Sequence, residues 1–159
     1  YNKTFTPFKI KRAPKTKNEA DKVLGNLDKA ANSSQKNYTD LAKYESGPWA
    51  LAARTRIGDI RYFQALKIAE IPIPKEIEKL DDKFPDKDIL LKYEDAIADL
   101  VKPLEEAARV EWEAVVNAGR TQQVSNEWTQ LANERLHDFV SQDEFPVLRQ
   151  ELREGTEEP

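Results

Sequence analysis

Trp49-Ala50-Leu51-Ala52-Ala53-Arg54-Thr55-Arg56-Ile57-Gly58-Asp59-Ile60 returns 79 residues later as Trp128-Thr129-Gln130-Leu131-Ala132-Asn133-Glu134-Arg135-Leu136-His137-Asp138-Phe139. Trp, Ala, Arg and Asp recur at offsets 0, 4, 7 and 10. Ile57 and Leu136 match at offset 8, and Ile60 and Phe139 at offset 11. Offsets 0, 4, 8 and 11 share one face of a helix. The reading therefore takes Trp49, Ala53 and Ile57, with Trp128, Ala132 and Leu136, as equivalent buried anchors of a repeated unit. A helix and a turn are expected before each copy, so the chain reads as an all-α repeat protein, a class that works mainly by binding other proteins.

Working outward, the punctuation marks further helices. An apolar stripe through Val23, Leu27, Ala30, Ala31, Tyr38 and Leu41 predicts a helix from Lys17 to Lys43. Ser46 or Gly47 caps the next, with Pro48 at its first position, and Ile71-Pro72-Ile73-Pro74 ends it at Ala69. Residues 75–80 form a short helical turn, and 81–86 read as a loop. A long helix from Lys87 to Ala118 contains Pro103, which either kinks it or starts a new segment. Ser125 or Asn126 caps a last helix ending near Ser141. The domain reading is an extended basic arm over 1–16, a helical repeat domain over 17–141 and an acidic tail over 142–159. Phe8 and Ile10 alternate with Lys9 and Lys11, so the arm is expected to lie its apolar edge on the helices.

Composition limits the chemistry. The 159 residues suit one domain with a core, at 39% hydrophobic and 34% charged with a net charge of -4. No apolar run approaches the ~18 residues of a membrane span. Cysteine is absent and His137 is the single histidine, which excludes disulfides, thiol catalysis and a His-paired metal site. His137 falls opposite Gly58 in the other copy, a packing or solvated position. The glycines are scattered and form no phosphate loop. Asp81, Asp82, Asp86 and Asp88 lack the alternation, turn glycine and terminal glutamate of a calcium loop, since Phe84 and Pro85 intervene. Glu105 and Glu106 are helix neighbours that diverge. No residue is assigned to catalysis, to a cofactor or to a metal.

Several segments, taken together and in order, resemble a helical module of large tetratricopeptide-repeat proteins of myxobacteria and related predatory bacteria. They are Phe8-Lys9-Ile10-Lys11, Gly47-Pro48-Trp49-Ala50-Leu51-Ala52-Ala53 with Arg56-Ile57-Gly58, Glu70-Ile71-Pro72-Ile73-Pro74, Pro103-Leu104-Glu105-Glu106-Ala107 and Asn126-Glu127-Trp128-Thr129. Some of those proteins belong to the cell-envelope machinery of gliding motility. The resemblance implies TPR-like antiparallel helix hairpins stacked as a short solenoid, periplasmic or in the cell envelope. It also implies one end of a longer parent chain, joined to preceding repeats, and a protein partner. The sequence departs from the family at Asn32-Ser33-Ser34 and at Arg54, and shows no strict 34-residue period. The expected function is a non-enzymatic protein–protein interaction scaffold. Two alternatives stand beside it: an enzyme or enzyme subunit that uses carboxylates alone, and a nucleic-acid binder that uses the arm's Lys3, Lys9, Lys11, Arg12, Lys15 and Lys17.

Overall fold

Five α-helices follow one another in the computed structural model, which describes residues 10, 12–43, 47–141 and 143–145. They are α1 (Lys17–Ala42), α2 (Pro48–Ala69), α3 (Lys75–Lys83), α4 (Ile89–Gln122) and α5 (Glu127–Phe139), with a 3-10 turn at Pro85–Lys87 before α4. Among the described residues there is no strand, so the all-α expectation holds. The loop expected at 81–86 is mostly helix: α3 runs on through Asp81 and Asp82. Asp81 instead accepts the Leu90 amide at 3.0 Å and so caps the start of α4. Phe84 lies under the ammonium groups of Lys83 and Lys87, 5.3 and 4.6 Å from its ring.

The helix ends follow local chemistry. Thr16 accepts the Glu19 amide and caps α1. Gly47 precedes Pro48 with φ of 100°, a conformation that glycine adopts at little cost. Asn126 and Thr129 close a capping box on α5, each side chain accepting the other's backbone N–H. Pro103 lies on the exposed side of α4, which continues through it as a single helix. Asp99 and Pro103 are both exposed, so the rung lost to the missing donor lies on the wet side of the helix, where the loss is cheapest.

α2 is the central element. Ile60, Gln64 and Ile68 form the side that meets α1, where Gln64 donates to Asp28 at 3.1 Å. Gly58 and Arg54 face α4, which runs antiparallel. Arg56, Asp59 and Tyr62, three residues apart, face α5. α1 and α5 thus lie on opposite sides of α2. The core has two clusters strung along α2 and α4. One gathers Leu51, Ala108, Trp112, Val115, Val116, Ala132, Leu136 and Phe145; the other gathers Leu27, Ala31, Ile60 and Ile68, flanked by Ile97, Val101 and Leu104.

The arm reading falls mostly on residues 1–9 and 11, outside the described residues. What is described is tied down at its end. The Lys15 amide donates to Glu19 at 2.8 Å, and the Glu76 amide donates to the Lys15 carbonyl at 3.2 Å. The backbone bond to Lys15 holds the Glu19 carboxyl below its usual range. At the other end, Phe145 is buried in the first cluster, and its carbonyl lies 2.9 Å from His137 Nδ1. The half-buried His137 ring thus meets a backbone carbonyl.

Trp112 is wholly buried, with its indole lying flat against Gly58. A Cβ at Gly58 would fall 2.5 Å from Trp112 Nε1, so the helices touch backbone to ring. Alanine would add about 1 kcal/mol of helix propensity, but the indole is enclosed by Tyr62 and Phe139 in edge-to-face contact and cannot retreat. We expect Gly58→Ala to lose about 1–3 kcal/mol net and Trp112→Ala about 3–5 kcal/mol, measured by urea unfolding. An unchanged Gly58→Ala midpoint would show that the interface yields.

Candidate functional site

The repeated signature converges in space, though not as the anchors were expected to. Ala53, Ile57, Ala132 and Leu136 are buried. Trp49 is 78% exposed, which corrects the expectation of a buried anchor. Its counterpart Trp128 is half-buried beneath the Arg56 guanidinium, 5.0 Å from the ring centre. The difference comes from neighbours. Side chains lean toward the start of their helix, so a tryptophan in the first turn projects past the helix end. α2 runs alongside the start of α5 and covers Trp128. At the start of α2 it is Ala50, Leu51 and Ala53 that are buried, Leu51 against Val115 and Val116 of α4, and Trp49 falls on the side that α4 does not cover.

The polar half of the signature makes a second layer. Asp59 is 2% exposed and bonds two guanidiniums: Arg56 Nη1 donates at 3.2 Å and Arg135 Nε at 3.3 Å. Both arginines occupy offset 7 of their copies, so the two units are joined by their own equivalent residues across α2 and α5. Arg54 pairs with Glu111 of α4 at 3.3 Å. Ser34, from the polar stretch of α1, is buried. The helix ion pairs farther out are exposed; Arg109 binds Glu106 and Glu113, and holds the Glu106 carboxyl below its usual range.

Catalytic groupings are thin among the described residues. No set of three His, Asp or Glu side chains converges to hold a metal. An open depression between α1 and α2 is lined by Asn32, Gln35, Lys36, Thr39, Asp40 and Arg61. Its single carboxylate, Asp40, pairs with Lys43 at 2.9 Å. Sequence reading missed a different feature. Lys15, Lys22, Lys29, Lys36 and Lys43 recur at every seventh position, and those at 22, 29 and 36 form one exposed stripe on α1. A count at period seven would have found it. On α5 the exposed residues Glu127, Glu134 and Asp138 form an acidic stripe.

Comparison with family models, with curated proteins and with solved structures finds no match to the chain. No described helix is long and apolar enough to cross a membrane.

The shared carboxylate sets a test. Arg56→Ala and Arg135→Ala should each cost about 1 kcal/mol, because the other guanidinium, partly exposed, still serves Asp59. Together they leave a buried carboxylate with no cation, and should cost about 3–5 kcal/mol. Strict additivity in denaturant unfolding would mean that Asp59 is not shared.

Proposed function

We propose that this chain is a non-enzymatic scaffold that binds another protein, built as TPR-like hairpins stacked into a short solenoid. The observation that carries the reading is Trp49. It is the most exposed of the large hydrophobic side chains described, yet it opens the helix that is otherwise the most buried in the fold. An exposed indole on a rigid helix loses little entropy on docking, and tryptophan is enriched among the residues that dominate binding energy. The internal duplication supports the stacked arrangement, since the α1–α2 pair and the α4–α5 pair present the same signature to their neighbours. The resemblance to myxobacterial envelope proteins supports a place in a cell-envelope assembly of the gliding-motility kind, facing the periplasm.

The experiment is site-specific photo-crosslinking in the native cells. A photoreactive residue at position 49 should trap a polypeptide other than this chain in the envelope fraction, whereas one at Glu94, on the exposed side of α4, should not. Trp49→Ala should leave stability within about 0.5 kcal/mol while abolishing that complex. No trapped polypeptide from position 49, or equal trapping from both positions, would refute the reading.

A further inference from the structure

We propose that the chain assembles head to tail with copies of itself, the lysine stripe of α1 in one copy docking on the acidic stripe of α5 in the next. The proposal rests on the scaffold reading only for the repeat relation between the two helix pairs. A shift of 79 residues carries Trp49 to Trp128, and it carries Lys22, Lys29 and Lys36 of α1 to Val101, Ala108 and Val115 of α4. Ala108 and Val115 are buried, and Val101 packs on the second core cluster. The face that α4 uses to join the preceding unit therefore has a counterpart on α1, and that counterpart carries lysines in place of the apolar core.

A lysine-lined face does not make a dry junction; it meets carboxylates. The acids of α1 have their close partners elsewhere: Glu19 pairs with Arg12, Asp21 with Lys17 and Asp40 with Lys43, while Asp28 bonds Gln64 and Asn32. Lys22 and Lys36 act on Glu19 and Asp40 only through the longer-range field, without an ion pair. Among the described residues no ion pair engages Lys22, Lys29 or Lys36, nor Glu127, Glu134 or Asp138. The two stripes flank α2 on opposite sides, so neither satisfies the other within one molecule. The turn at 143–145 leaves the acidic stripe exposed.

The same shift supplies the anchor. Within the chain, Arg56 bonds Asp59 and also covers Trp128. Its equivalent Arg135 bonds Asp59, and at the junction it would cover Trp49 of the next copy. Asp138, the equivalent of Asp59, would receive that copy's Arg56. Such a contact uses two different surfaces, so it propagates into open chains and does not close as a symmetric dimer.

Sedimentation of the purified protein tests this. Wild type should form a ladder of oligomers at low salt, and raising the salt to about 0.5 M should weaken association at least tenfold. Trp49→Ala should weaken it about tenfold. The triple variant Lys22→Glu, Lys29→Glu, Lys36→Glu should be a folded monomer, and so should Glu127→Lys, Glu134→Lys, Asp138→Lys. Mixing the two variants should restore association, because each then offers the charge that the other lacks. Helical circular dichroism confirms that the variants fold. A wild type that stays monomeric at low salt up to about 1 mM, a discrete symmetric dimer, or variants that fail to associate when mixed would overturn the proposal. Because only this protein is present, a monomeric result leaves the crosslinking test of a foreign partner intact.

Discussion

The contact between Gly58 and Trp112 governs the arrangement of the helices. A backbone pressed against an indole leaves no room for a side chain, and it fixes α2 and α4 at one separation and one register. From that register the rest follows. Arg54 reaches Glu111, Tyr62 and Phe139 close around the indole, and α5 is brought beside α2. The indole nitrogen is left without a hydrogen-bond partner among the described residues. That loss of about 1–3 kcal/mol is accepted because the ring fills the centre of the larger core cluster. A second pinch repeats the device at the corner between α4 and α5, where a Cβ at Gly119 would fall 2.7 Å from Thr129.

Over this apolar contact lies a polar one that sets direction. Asp59 accepts from both offset-7 arginines, so the two copies of the signature recognise one another through charge as well as shape. Hydrophobic burial is nondirectional, and it would tolerate α5 sliding along α2. The Arg135 guanidinium on the enclosed Asp59 carboxylate, with Arg56 over Trp128, would not. The signature thus has two functions, an apolar half that fills the core and a polar half that fixes the order of the units.

Much of this was legible in the residues. Pro48, the Ile71-Pro72-Ile73-Pro74 break and Asn126 mark helix ends, because backbone donors and φ restrictions are local. Gly58 and Ala53 signal close approach by their size. The failure at Trp49 has an equally physical cause. Two residues at the same offset share a helix position but not a neighbour, and burial depends on the neighbour. Nothing in the period identifies Trp112 as the ring that Gly58 receives, since that pairing joins residues far apart in the chain. Asp81 and Asp82 read as loop residues because acids and a proline cluster there. They are helical because Asp81 gains the Leu90 amide, a contact that exists only once α4 has formed. The lysine stripe went unread because charge at helical spacing ordinarily means only a wet face.

Pro103 has a consequence for the energetics of the longest helix. Every fully buried residue of α4 lies after it, from Ala108 to Gly119, and none lies before. The proline falls at the seam between the two core clusters and removes one rung of the hydrogen-bond ladder there. α4 is continuous in geometry but uneven in burial: the half before Pro103, held only by partly buried residues such as Ile97 and Val101, is expected to open at lower cost than the half that carries Ala108 to Gly119. The opening half packs on the α1 side of the molecule, whereas the half that stays shut secures α5. Local unfolding there would loosen one end of the array and leave the Asp59 junction whole.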